Sequence, residues 1–473
     1  MAGPKKVTFS GSKEKAHSRD LVATDQSRLK DGYPRVLIVY MSCLNKCDQH
    51  GLSLRSWFAE WPRENLAQIY SGGEVGKERF CGLNFKIGLE ERRFGRLFFK
   101  LKSSSVGEST MPTTLLAGTL DTVDRSTILS RNKRVFGRLL LNSGIWELIF
   151  RPRLSTNLMR WVRNFQPEII YCQGYSLTFS RLPLMLQEYT SAPICFQTGD
   201  DWPRHSYTNS VVSGLMNLIL QYSARRLIRA ASVRFSSGMA MSQAYLTRYS
   251  CQFEPLMMCD DIKRFESSKP KHLVECGRSS VVYAGSLGSH RWKPLLDLCA
   301  AARELREEGI DIVITALVSG LPIEALRELR GVSNLNVLPA PNHEALPAYL
   351  KGSDLLFLPE SFEMRQAKSI QLSISSKAHL YMMSERPVLI YAPPISGIVG
   401  YARETEWGCV VDRQDRTILK IALKKLLLDE GYRHKLATKG REVALQRHAS
   451  TVVRERIRQV LFAAGKKPRK RCL

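Results

Sequence analysis

Short apolar runs bounded by turn residues alternate along this chain with longer amphipathic stretches. Pro34-Arg-Val-Leu-Ile-Val-Tyr40 is a β-branched run of the kind that forms a buried parallel strand. A helix over about 53–61 and a strand at Leu66–Tyr70 follow, opening a strand–helix–strand unit. Further strands are predicted at Glu168–Tyr171, Ala192–Phe196 and Ser232–Phe235. The second half repeats the alternation more clearly. Strands at Ser280–Ala284, Asp311–Thr315, Leu335–Leu338, Asp354–Leu358 and Pro387–Tyr391 are separated by helices at 295–308, 323–329, 343–351 and 377–385, giving five strands. This order predicts an α/β fold in which a doubly wound parallel sheet presents ligands at the carboxyl ends of its strands.

At 473 residues with 44% hydrophobic content, the chain exceeds one hydrophobic core and fits two compact units. The predicted organisation is a polar basic arm over 1–32, a first domain over 33–270, a second over 271–447, and a C-terminal helix with a basic tail over 448–473. A formal charge of +26 implies an anionic partner: nucleotide, lipid headgroup, nucleic acid or acidic polysaccharide. Nucleic acid is not favoured, because the basic residues are dispersed and no interleaved aromatic–basic motif occurs. The 11 cysteines lack paired spacings and the first residues lack an apolar stretch, so a reducing cytoplasm is expected. Cys43, Cys47 and His50 have no second ligand pair nearby, and no metal is expected.

No run offers the ~18 apolar residues of a membrane span, so any membrane association is peripheral. Between Val135 and Leu154, Phe136, Leu139, Leu140, Ile145, Trp146, Leu148 and Ile149 alternate with arginines. A core-facing helix and a membrane-docking helix both fit that pattern. The basic ending Gly465–Leu473 reads equally as a solvated end or a lipid-binding patch.

Two strand-to-helix turns carry candidate chemistry. In Gly285-Ser286-Leu287-Gly288-Ser289-His290-Arg291-Trp292-Lys293, small residues permit close backbone approach to a phosphate and Arg291 and Lys293 add charge. In Ser375-Ser376-Lys377-Ala-His379-Leu380-Tyr381, either serine can cap a helix, while Lys377 puts a cation where the helix dipole disfavours it. A bound anion relieves that conflict, and the two turns together suit a diphosphate held by Arg291 and Lys377. Glu360 and Glu363 follow the strand Asp354–Leu358, either as solvated loop acids or as ligand contacts. In the first half, Gln173-Gly174-Tyr175 and Gly199-Asp200-Asp201-Trp202-Pro203-Arg204-His205 each follow a strand. Asp200, Asp201 and His205 are the concentrated ionisable set there and the candidates for a general base. A capping aspartate beside a packed Trp202 is the competing interpretation.

These stretches, with Gly51–Tyr70, Thr198–Pro203 and Ser375–Leu389, make the chain resemble GT-B glycosyltransferases of the family-4 type from about Pro34 to Arg447. The resemblance implies two Rossmann-like domains facing across a cleft and a retaining, metal-independent hexosyl transfer without a cofactor. It further implies a nucleotide-sugar donor and a glycan or lipid-linked acceptor, as in polysaccharide biosynthesis, at the inner membrane face. It places Arg291 where the family carries a lysine on the donor diphosphate, and Lys377 on the lysine of its Ser-x-Lys turn. Gly285, Ser286, Leu287, Ser375, Ser376, Tyr381 and Glu363 join the donor side, and Gly51, Gln173, Gly174, Tyr175 and Trp202 the acceptor side. Ser286 stands where many members have a partner arginine. Leu372 and Leu380 stand where they have glutamates, the second of which holds the ribose. A non-catalytic relative that lost those glutamates is the alternative.

Overall fold

The computed structural model describes residues 32–44, 49–75, 79–94, 144–204, 211–275 and 277–466. Its first sheet holds β1 (Val36–Val39), β2 (Leu66–Tyr70), β3 (Leu83–Lys86), β4 (Ile169–Cys172), β5 (Ile194–Thr198), β6 (Val233–Ser236) and β7 (Glu254–Pro255), in the order β3-β2-β1-β4-β5-β6-β7. The second holds β8 (Ser279–Ser286), β9 (Ile312–Gly320), β10 (Leu335–Pro339), β11 (Leu355–Pro359), β12 (Val388–Tyr391) and β13 (Cys409–Val411), ordered β10-β9-β8-β11-β12-β13. Pairing is parallel throughout both sheets. Every residue of β1, β4, β5, β11 and β12 is buried. That is why these strands read as largely apolar runs, interrupted only by Gln197 and Thr198 at the end of β5: helices cover both faces.

Strand order reverses between β1 and β4 and again between β8 and β11, and at each reversal the two carboxyl ends open a crevice. The second sheet has six strands where the pattern predicts five. The extra one, β13, is a three-residue edge strand too short to register as a run. β3 and β7 escape prediction for the same reason, since both are short and carry polar residues at an edge. The first predicted helix lies earlier, at Gln49–Trp57, and the chain then turns through Phe58–Trp61, where Trp61 Nε1 donates to the Pro34 carbonyl at 2.9 Å. Of the stretch 135–154, residues 135–143 lie outside the described residues, and the helix covers only Ile145–Ile149. Beyond it Pro152 bridges to Arg92, ending any continuous amphipathic face.

Packing draws the domain boundaries differently from the linear sequence. The helix Ile262–Ser267 sends Phe265 into the core of the second domain, beside Leu356 and Trp407, so that domain begins before residue 270. The helix Ser450–Gly465 returns to the first domain, where Val453, Ile457, Leu461 and Ala464 pack on Val36, Ile38, Trp57 and Phe58. The two crossings are tied together, because Asp260 N–H donates to the His448 carbonyl at 3.2 Å and Ser450 N–H to the Asp260 carbonyl at 2.9 Å.

Candidate functional site

The crevice of the second sheet is built from β8, β11 and the segment after β11. At the end of β8, Gly285 has a φ of +148°, and a Cβ there would lie 2.2 Å from Lys377 Cε. Glycine therefore lets the Lys377 stem run across the strand end. Lys377 is half-buried, its Nζ 5.7 Å from the centre of the Tyr283 ring. Burial, then the nearby Arg291 charge, lowers its pKa to about 8, with Glu360 opposing the shift. Arg291 precedes the helix Trp292–Glu307 and donates from Nε to Glu360 Oε2 at 2.7 Å. Burial is the largest single influence and disfavours its charge, but Glu360, Tyr283 and Asp200 together outweigh it and hold its pKa above the usual value. Glu360 is thus no solvated loop acid: it is 3% exposed, at the end of β11 beside the switch point. From the second domain two cations and one carboxylate converge there, a positive excess on that side of the cleft that suits an anion.

The other residues assigned to this side divide into supports and surface groups. Tyr381 points away from the crevice: it is 1% exposed and its hydroxyl accepts from Ala284 N–H at 2.8 Å, bracing the end of β8. Leu287 is buried, and its N–H donates to the Gly320 carbonyl at 3.0 Å. Ser286 Oγ accepts from Gly288 N–H at 3.1 Å, holding the turn shut. Neither Ser375 nor Ser376 caps the following helix, Ala378–Met383; Lys377 occupies the cap position, with no side-chain cap bond. The Ser375 carbonyl instead accepts from Ala378 N–H at 3.0 Å, which tightens the turn that presents Lys377. Glu363 is half-buried, bound to Lys293 and, at 2.6 Å, to His290, and these partners lower its pKa. Leu380 packs at the margin of the second domain's core, whereas Leu372 packs against the core of the first.

Across the cleft, Gly174 has φ +85°, and a Cβ there would lie 2.5 Å from Trp202 Cζ2, so only glycine admits the indole. Tyr175, at φ +60°, tilts over the same indole with ring centres 5.6 Å apart. Gln173 Nε2 donates to Gln197 Oε1 at 2.5 Å, joining the ends of β4 and β5. Gly51 is buried in the helix Gln49–Trp57. Asp200 and Asp201 are neighbours with different fates. Asp201 Oδ1 and Oδ2 accept from Arg248 at 2.5 and 3.0 Å, and Oδ1 also accepts from the Tyr245 hydroxyl at 3.0 Å, so this carboxylate is a structural anchor. Asp201→Ala leaves the half-buried Arg248 without its acid and is expected to cost about 3 kcal/mol in urea unfolding. Asp200 faces the cleft, where its Oδ1 accepts from Ser373 Oγ of the second domain at 3.0 Å and its charge raises the pKa of Arg291. His205 lies outside the described residues.

Ser373 and Ile374 are the residues that sequence reasoning missed here, and Glu360 is one that it left between a loop acid and a ligand contact. Ile374 Cδ1 fills the space beside Gly238, where a Cβ would be 2.7 Å away, so the two domains touch at this strap as well as through Asp200. The local signal for Glu360 was a carboxylate directly after a fully apolar strand; Ser373 and Ile374 had none. Among the described residues no three His, Cys, Asp or Glu side chains gather as metal ligands. Cys43 is buried, and Cys47 lies outside the described residues.

Neither a known family model nor a curated protein sequence matches the chain. Solved structures do. HepE of Anabaena, in complex with UDP, is similar at TM-score 0.59 and 13% identity over 91% of this chain and 100% of that one. The α,α-trehalose 6-phosphate synthase of Burkholderia multivorans matches at TM-score 0.56 and 13% identity over 91% and 97%. WaaG, a glycosyltransferase involved in lipopolysaccharide biosynthesis, matches at TM-score 0.55 and 10% identity over 90% and 99%. At these identities the likeness establishes the fold, the α/β GT-B arrangement of two parallel-sheet domains.

Proposed function

We propose that this chain is a glycosyltransferase that binds a nucleoside-diphosphate sugar in the crevice of the second sheet and transfers the hexose to a glycan or lipid-linked acceptor held by the first domain. The observation that carries this is the convergence of Arg291 and Lys377 on the β8–β11 switch point, where Glu360 is paired to Arg291 and Asp200 acts on it from across the cleft, while Lys377 has no ion-pair partner among the described residues. Breaking the anomeric C–O bond leaves negative charge on the departing β-phosphate, and fixed cations stabilise that charge more than they stabilise the intact donor. The cations themselves supply this stabilisation, the role a metal ion would otherwise play, and the transfer is proposed to be metal-independent and, by the family resemblance, retaining. The GT-B fold, and the likeness to a HepE structure holding UDP and glucose, add support.

With Glu360 engaged by Arg291 and leucine at 372 and 380, Glu363 is the carboxylate left to meet a ribose, exchanging its Lys293 and His290 partners. Asp200 is the acceptor-side base, released when an acceptor hydroxyl replaces Ser373. Differential scanning fluorimetry with uridine, guanosine and adenosine diphosphates and their sugars tests this. One nucleotide at about a hundred times its Kd should add about 2.7 kcal/mol of stability. Absence of any shift at saturation would instead support a non-catalytic relative.

A further inference from the structure

The helix Val211–Ala230 of the first domain has two apolar faces, and only one is covered. Met216, Leu220, Ala224, Leu227 and Ile228 face inward and are buried in the core. Outward, Leu215, Leu218 and Tyr222 recur at helical spacing as one stripe and are 61%, 63% and 67% exposed. Exposed Arg225, Arg226 and Arg229 continue that stripe toward the C-terminus. The helix contains no Asp or Glu. None of the three arginines has an ion-pair partner among the described residues, although Arg225 also reaches the Arg248 carbonyl at 3.4 Å.

We propose that this face docks the protein on an anionic lipid bilayer. Leucine and tyrosine side chains bury below the headgroups while arginines on the same stripe meet lipid phosphates. A second copy of the chain fits poorly: parallel pairing sets arginine against arginine, antiparallel pairing sets arginine over leucine, and neither brings a carboxylate. Nucleic acid would engage the arginines but leave three large apolar side chains in water. The helix also packs against the turn Trp202–Arg204, so docking would turn the Trp202 side of the cleft toward the bilayer. That last consequence rests on the glycosyl-transfer reading; the docking itself does not.

Vesicle flotation of the full chain without nucleotide tests it, with phosphatidylcholine alone and with about 30% phosphatidylglycerol, at about 0.1 M and about 1 M salt. The wild type should bind the anionic vesicles and retain part of that binding at high salt, because apolar insertion is not screened. L215S/L218S/Y222S should bind at least about tenfold more weakly and lose the salt-resistant part, with an unchanged unfolding midpoint since these side chains already face solvent. R225E/R226E/R229E should lose the preference for anionic vesicles. Wild-type failure to bind would overturn the proposal, as would equal binding by the apolar variant, which would assign docking to the basic chain ends. It would equally be overturned by a wild-type dimer that the apolar variant makes monomeric.

Discussion

Lys377→Ala should abolish stabilisation by the cognate nucleoside diphosphate and lower turnover by on the order of 10²–10³-fold, the range for removing one charge-stabilising donor. Lys377→Met should do the same while making the free protein slightly more stable. The pKa of Lys377 is about 8 in the folded protein against an ordinary 10.5, so between those values the unfolded chain binds more protons. Its effect on stability is therefore unfavourable while it is charged, and that cost is relieved as pH rises through 8 toward 10.5. Donor binding carries the opposite sign. A diphosphate holds Lys377 charged, so binding above pH 8 takes up a proton and affinity falls by up to about tenfold per pH unit. Titration calorimetry at pH 7 and pH 9, in two buffers of different ionisation enthalpy, checks both affinity and proton uptake. PH-independent binding would remove Lys377 from the anion site. Gly285 belongs to the same device, because any Cβ there displaces the lysine stem.

The second large effect lies far from the cleft. Ile457→Ala should destabilise the first domain by about 3 kcal/mol, since Ile457 is fully buried in a helix that closes one face of the first sheet. Deleting 450–473 removes Val453, Ile457, Leu461 and Ala464 together and uncovers Val36, Ile38 and Trp57. The shortened chain should lose cooperative unfolding of the first domain and aggregate. Ile421, on the helix Arg416–Leu428 and 61% exposed, is the control: Ile421→Ala should change stability by under about 0.5 kcal/mol. Equal effects at the two positions, measured by urea unfolding, would show that the C-terminal helix is not part of that core. Arg454 strengthens the attachment from the polar side, donating to the Ser56 carbonyl at 2.8 Å.

What was legible beforehand follows from local physics. A strand buried on both faces is largely apolar, so β1, β2, β4, β5, β8, β11 and β12 stand out in the chain to within a few residues, although β2 and β5 each bury a glutamine, Gln68 and Gln197. Small residues and cations at two strand-to-helix turns likewise mark Gly285, Arg291 and Lys377 as candidates, because the demands of a phosphate on backbone and charge are ones that short local segments can meet. The sequence by itself thus determined a doubly wound α/β protein with an anion-suited turn. Partnerships across long separations were left to the tertiary structure. Asp200 and Asp201 are adjacent and chemically equivalent, yet one faces the cleft and the other is held by Arg248 and Tyr245. Glu360 reads as a loop acid until β11 is set beside β8 and Arg291 reaches it. Tyr381 looks like a ligand contact until its hydroxyl is found on Ala284, and the last helix looks like an appendage until it closes the first core. Periodicity records that a face is buried, whereas the identity of what buries it depends on how distant segments pack.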